Sequence, residues 1–206
     1  MATKTNGKVK RRDGLKRQSE ILAVALKLFS EKGYTATSID DIIETAGIAR
    51  GTFYLHFTGK SDLLGMIVDS YLTQMYEIVK KLDISMNKPM DEIKRFYREA
   101  IRIYIAIPDI KHFMKVILME VMGTEKEILD KVNAFYRISI QISARYIAQA
   151  QKEGKVIPSL DPVATSTCIV GAVKEILLQW TLTDMSFDIN NAADTAIELF
   201  FRGMLT

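Results

Sequence analysis

The stretch from Gly33 to Leu64, GYTATSIDDIIETAGIARGTFYLHFTGKSDLL, limits what this chain can fold into more than any other. Ser38-Ile39-Asp40-Asp41 fits a capping box, in which the serine hydroxyl accepts the N3 amide and the N3 carboxylate reaches back to the cap. The helix opened there is short, because Gly47 supplies a turn that calls for positive φ. A second short helix follows over residues 49–56. Before this pair, Ile21, Leu22, Ala25, Leu28 and Phe29 recur at helical spacing, which predicts a helix over residues 15–32 closed by Gly33. A longer helix and two short ones around a glycine turn form a helix-turn-helix pattern, whose last helix fits the major groove of duplex DNA.

The remainder also reads as helix, with no alternating period-2 run and no hairpin signal. Helices are expected over 60–82, from Pro89 to before Pro108, over 109–122 with Gly123 as stop, over 125–153, over 161–183 and over 189–204. The fold class is therefore all-α with about nine helices. It divides into a basic arm (1–14), a three-helix head with its own small core (15–59) and a helical body (60–206). No flexible linker separates head from body, since a helix starts directly after Phe57.

Charge sharpens this division. The net charge is +3, yet residues 1–17 carry seven cations against Asp13 alone. A basic arm on a near-neutral body is an electrostatic footprint for nucleic acid. The single cysteine, Cys168, excludes an intrachain disulfide and fits a cytoplasmic protein, as a buried, inert thiol. No signal-peptide pattern and no apolar run of about 18 residues suggest export or a membrane span. With only His56 and His112, no phosphate-binding glycine loop and no nucleophile or metal motif, neither an enzyme nor a cofactor is expected.

In the head, Arg50 is the candidate for base edges, because guanidinium is bidentate to guanine. Gly51 within a helix costs about 1 kcal/mol relative to alanine, so close backbone approach is its expected reason. Thr52 suits a phosphate or a thymine methyl. Tyr54, His56 and Lys60 are placed for the phosphate backbone, as are Thr37 and Ser38 at a positive helix end. Phe53 and Phe57 alternate with this polar set and are expected to be core.

These residues carry a resemblance. Glu31-Lys32-Gly33-Tyr34, Thr37-Ser38, Ala46-Gly47-Ile48, Arg50-Gly51-Thr52-Phe53-Tyr54, His56-Phe57 and Lys60-Ser61-Asp62-Leu63 resemble the DNA-binding domain of the tetracycline-repressor (TetR) family. The resemblance implies a homodimeric, ligand-responsive repressor on a palindromic operator, with Thr37, Arg50, Gly51, Thr52, Tyr54, His56 and Lys60 at DNA-contact positions. Ala49 departs from the serine common at the cap of the recognition helix, and Leu55 from an aromatic.

For the body the resemblance is architectural. It implies dimerisation through the last two helices, where Ala164, Gly171, Leu178, Ala192, Ala196, Leu199 and Phe200 are the interface candidates. Met66, Tyr71, Met75, Phe96, Tyr97, Tyr104, Phe113, Met114, Ile117, Phe135 and Tyr146 are the candidates for an effector pocket among the fourth to seventh helices. Their methionine and aromatic content points to a small apolar or amphipathic effector. Arg98, Arg102 and His112 are expected mainly in solvent. An effector-independent DNA-binding protein and, remotely, a helical enzyme stay open as alternatives.

Overall fold

The computed structural model describes the backbone of residues 3–81, 90–120, 125–184 and 186–205. Among them it has α1 (Thr3–Lys32), α2 (Ile39–Ala46), α3 (Arg50–His56), α4 (Lys60–Lys81), α5 (Met90–Ile105), α6 (Ile110–Lys115), α7 (Lys126–Lys152), α8 (Pro162–Leu182) and α9 (Ile189–Met204). The all-α class and the helix order match the sequence reading. Pro89 as a first helical residue and Gly123 as a stop lie outside the described residues.

Two boundaries differ. Helix α1 begins at Thr3 rather than Leu15, so most of the basic arm continues the helix. The apolar stripe stops before Leu15, but lysine and arginine are good helix formers and a nucleated helix extends by one hydrogen bond per residue. Helix α6 does not run as α-helix to residue 122; it passes into a π-helical turn over Val116–Glu120. Its entry is also unusual, with Asp109 in the left-handed region at φ 56°, a conformation that aspartate tolerates better than most residues.

Local chemistry explains the other ends. Asp161 caps α8 by accepting the Ala164 amide at 2.6 Å, with Pro162 in the first turn. Asp188 caps α9 by accepting the Asn190 amide at 2.9 Å. Between α7 and α8, the Ile157 amide donates to the Met204 carbonyl at 2.9 Å, tying that loop to the end of α9.

The sequence reading expects a core within the head alone, but the head shares its core with the body. Phe29 of α1, Ile42 of α2 and Phe53 of α3 are fully buried in a cluster that continues without a break through Leu63, Leu64 and Val68 of α4 to Ile110, Phe113 and Val116. A unit of this size buries too little surface alone, and α4 and α6 complete it. A second cluster, with Ile147, Val156, Ile197, Phe201 and Met204, closes the far end of the body.

Candidate nucleic-acid interface

Helix α2 begins as its sequence requires. The Ser38 hydroxyl accepts the Asp41 amide at 3.0 Å, and the Asp41 carboxylate accepts the Ser38 amide at 2.8 Å. The ammonium of Lys32, 2.8 Å away, and the Ser38 donors together hold the Asp41 carboxyl well below the usual carboxylate range. Gly47 has φ 60° and ψ 42°, the left-handed turn that aims α3. Ala49 starts α3 with no side-chain cap, as the missing hydroxyl dictates.

Helix α3 divides into two faces. Phe53 and Phe57 are buried and fix the helix against the core. Arg50, Gly51, Tyr54 and Leu55 are exposed, and Thr52 and His56 are half-buried at the edge. The Arg50 guanidinium reaches Asp40 of α2 at 3.2 Å, an exposed ion pair that water or a stronger acceptor can displace. A Cβ added to Gly51 would meet nothing within 4 Å. Packing inside the chain therefore gives no reason for glycine there. Leu55 is 82% exposed, an apolar side chain on a face that otherwise presents polar groups.

Two residues expected on the DNA surface have other partners. Thr37 is 1% exposed, and its hydroxyl donates to the Gly33 carbonyl at 2.8 Å. The turn after α1 leaves carbonyls that need donors, so this side chain faces inward. The Lys60 ammonium donates to the Tyr34 and Thr37 carbonyls at 2.8 and 2.9 Å and lies 4.6 Å over the Tyr34 ring. It braces the turn before α2 rather than projecting into solvent. The connection to α4 is also tied down: the Thr58 amide donates to Asp62 at 2.7 Å.

The comparisons with known proteins agree with this geometry. A model of bacterial regulatory proteins of the tetR family matches residues 21–67, and one of the C-terminal region of YsiA-like proteins matches residues 71–203. The chain belongs to the TetR family. It is a DNA-binding transcriptional regulator with α1–α3 as its helix-turn-helix domain. The chain is 22% identical to the fatty acid metabolism regulator protein of Bacillus subtilis, over 90% of this chain and 94% of that protein. Among solved structures, NalD, the secondary repressor of the MexAB-OprM multidrug efflux pump in Pseudomonas aeruginosa, superposes with a TM-score of 0.77 at 24% identity, over 93% of this chain and 98% of NalD. The triclosan complex of SmeT, a repressor from Stenotrophomonas maltophilia, also gives a TM-score of 0.77, at 19% identity over 92% of each chain.

In this TetR-family chain the head is latched to the body by residues that the sequence reading missed. One oxygen of the Glu125 carboxylate, at the start of α7, accepts the Tyr34 hydroxyl at 2.8 Å; the other accepts the Ser61 hydroxyl of α4 at 3.1 Å. Burial first, and then this carboxylate, push the Tyr34 phenol above its ordinary range. Ser30 of α1 lies 2.6 Å from Nδ1 of His112 in α6 and also donates to the Lys27 carbonyl at 3.0 Å. Ser30 has one proton, so with that proton on Lys27 the imidazole Nδ1 carries a hydrogen and donates it. His112, expected in solvent, thus joins head and body. No local sequence rule links positions 82 residues apart.

The body's aromatic residues separate into two sets. Tyr71 stacks on Phe113 at 4.2 Å and donates to the Pro108 carbonyl at 2.8 Å. Met75, Phe113, Met114 and Ile117 are buried in the cluster that joins head to body, and Met66, Tyr104 and Phe135 pack against it. The side chain of Phe96 lies outside the described residues. A cavity sits between α5, α7, α8 and α9, and Tyr97 and Tyr146 of the candidates line it. Ala196 and Phe200, candidates for the dimer interface, line the same cavity. Arg98, also expected in solvent, holds Asp194 at 3.0 Å and Glu198 at 2.7 Å across α5 and α9. Arg102 is exposed, 4.0 Å from Glu99.

On the outer face of α8 and α9, Ala164, Gly171 and Leu199 are exposed, Leu199 by 68%, while Leu178 and Ala192 are half-buried. Cys168 is exposed on this face rather than buried.

Proposed function

We propose that this TetR-family regulator is a homodimeric, cytoplasmic repressor that reads a palindromic operator with α3 and is released by a small apolar or amphipathic effector bound in the body. The observation that carries the DNA reading is the division of α3: Phe53 and Phe57 lock the helix, and Arg50, Gly51 and Tyr54 stand outward from it. Arg50 reads a base edge, exchanging its exposed pair with Asp40 for a guanine. Gly51 admits the backbone, and Thr52, Tyr54, His56 and Ser38 hold phosphates. Thr37 and Lys60 act one step back, by fixing the turn that aims the helix.

The dimer reading rests on the exposed small and apolar positions of α8 and α9, with Leu182 and Val163 at 49% and 58% exposure extending the stripe. A two-fold interface there would set two α3 helices on half-sites a helical turn, about 34–36 Å, or a multiple apart. Effector control is supported by the stiff junction: α4 follows α3 without a hinge, and Glu125 and His112 tie the head to elements of the body. A body rearrangement would move the heads off their spacing, and a coupling of about 1–3 kcal/mol would weaken operator binding about 5- to 150-fold. The triclosan held by SmeT is a precedent for a small, mostly apolar ligand in this fold.

The test is operator binding by anisotropy on a duplex selected from random DNA. Arg50→Ala is expected to lose about tenfold or more in affinity and to relax sequence preference at one position, and Tyr54→Phe to lose less. Unchanged affinity and preference in both would sink this assignment of the DNA surface.

A further inference from the structure

We infer that Leu55 is a specificity-determining residue, which packs its methyl groups on the C5-methyl of a thymine in the major groove. This deepens the DNA reading and rests on α3 as the helix that meets the duplex. At 82% exposure Leu55 is the most exposed large apolar side chain among the described residues, ahead of Leu199 at 68%. A lone exposed leucine is ordinary on a protein surface and calls for no ligand. Leu55 differs by its place, on the outer side of α3 within the helix-turn-helix of a DNA-binding regulator.

The neighbours of Leu55 fix where it lies. Phe53 and Phe57 hold α3 from behind, and the Tyr54 ring stands edge-on to Phe53 at 5.3 Å. Leu55 is neither in the buried clusters nor among the side chains packed against them. Gly51 stands one turn earlier on the same helix face. Side chains of an α-helix lean back over the turn that precedes their own Cα. Leu55 therefore leans toward Gly51, which has no side chain to cover it and open space where a Cβ would be. Its methyl groups are carried toward the N-terminal half of α3, from which a recognition helix contacts base edges.

The chemistry of the side chain narrows what it can read. Leucine has no donor and no acceptor, so it holds no phosphate and pairs with no polar base edge. In the major groove the apolar group that distinguishes one base pair from another is the thymine C5-methyl. Packing that methyl on leucine removes hydrocarbon from water on both sides. One buried methyl corresponds to about three- to fivefold in affinity. A cytosine at the same place would offer its amino group to a hydrocarbon that cannot accept it, which adds to the discrimination.

Exchange of thymine for uracil tests this on the full chain, because deoxyuridine keeps every hydrogen bond of thymidine and lacks only the methyl. Each thymine of a duplex selected from random DNA is replaced in turn, and binding is followed by anisotropy. The wild-type chain is expected to lose about three- to fivefold at one thymine. Leu55→Ala exchanges two good helix formers at an exposed site, so it should melt like the wild type. It is expected to bind the thymine duplex about three- to fivefold less tightly and to bind thymine and uracil equally at that one position. The inference is overturned if no thymine exchange weakens the wild type, or if Leu55→Ala keeps the wild-type ratio at every position. The second result includes a uniform loss, which would mark a sugar contact. Arg50→Ala on the same duplex separates this inference from the reading beneath it. Lost guanine preference with a silent uracil exchange leaves α3 as the reading helix and removes Leu55 from base recognition. Unchanged binding in both Arg50→Ala and Leu55→Ala removes α3 as well.

Discussion

The head and the body are built from the same kind of helix, yet one is far easier to read from its sequence. In the head each local signal has a single meaning. Ser38 and Asp41 form a capping box, Gly47 is a left-handed turn, and the alternation of Phe53 and Phe57 with Arg50 and Tyr54 separates core from surface. In the body the aromatic stripes are ambiguous. Tyr71 and Tyr97 have similar spacing to apolar neighbours, but Tyr71 stacks on Phe113 in the core and Tyr97 lines a cavity. Capping and turns are settled within about four residues, whereas core and cavity depend on which helix lies opposite.

The continuity of the two regions is the first thing to break. Phe53→Ala removes a fully buried ring from a cluster shared by α1, α3, α4 and α6. It should cost about 3–5 kcal/mol. Urea unfolding followed through Trp180, the single tryptophan, in α8, should shift by that amount in one transition. A head that melts alone, with the Trp180 signal unmoved, would show two independent cores.

Glu125→Ala probes the latch. It strips Tyr34 and Ser61 of their shared acceptor. A loss of about 1–2 kcal/mol of stability is expected, together with weaker operator binding, because α2 and α3 lose one of their ties to α7. If operator affinity is unchanged at equal folded fraction, Glu125 does not help to place the head.

Ala49→Ser asks the opposite question, whether the head is still short of a local signal. The N-cap of α3 lacks a side-chain acceptor. A serine there should stabilise the chain by about 1 kcal/mol in the same urea assay. No gain would mean that the backbone at Ala49 cannot place a hydroxyl over the first turn.

The smallest effect expected is on pH dependence. Burial, and then Lys111, hold His112 below its ordinary value of 6.5, while Asp109 and Glu31 act in the other direction and Lys27 adds to the lowering. The unfolded chain therefore takes up protons first as the pH falls below 6.5. The contribution of the neutral imidazole is full above that value and is lost as the pH falls through the lower folded value. His112→Gln should flatten the fall in melting temperature between about pH 7 and pH 5. An identical slope in the variant would place the pH sensitivity elsewhere.

Most of the element order was legible, since capping residues and apolar periodicity mark helices locally. Of the DNA-surface candidates, Arg50, Gly51 and Tyr54 do stand outward, but Thr37 and Lys60 do not. A hydroxyl and an ammonium look the same in sequence whether they serve solvent or a turn, and only the position of the carbonyls after α1 decides. The start of α1 leaves no such signal for a related reason: a helix that extends from an existing nucleus needs no apolar stripe in its first turns.

What the sequence by itself determined was the set of interactions that close within about one helical turn: the caps at Ser38, Asp161 and Asp188, the turn at Gly47, and the two faces of α3. Only the tertiary structure decided which distant groups meet. It brought Glu125 to Tyr34 and Ser61, His112 to Ser30 and Arg98 to Glu198, and it opened a cavity at α5, α7, α8 and α9. The physical reason is that backbone hydrogen bonds and capping act over fixed short separations. The rigid placement of one helix against another is a sum over many weak contacts that no short window of sequence contains.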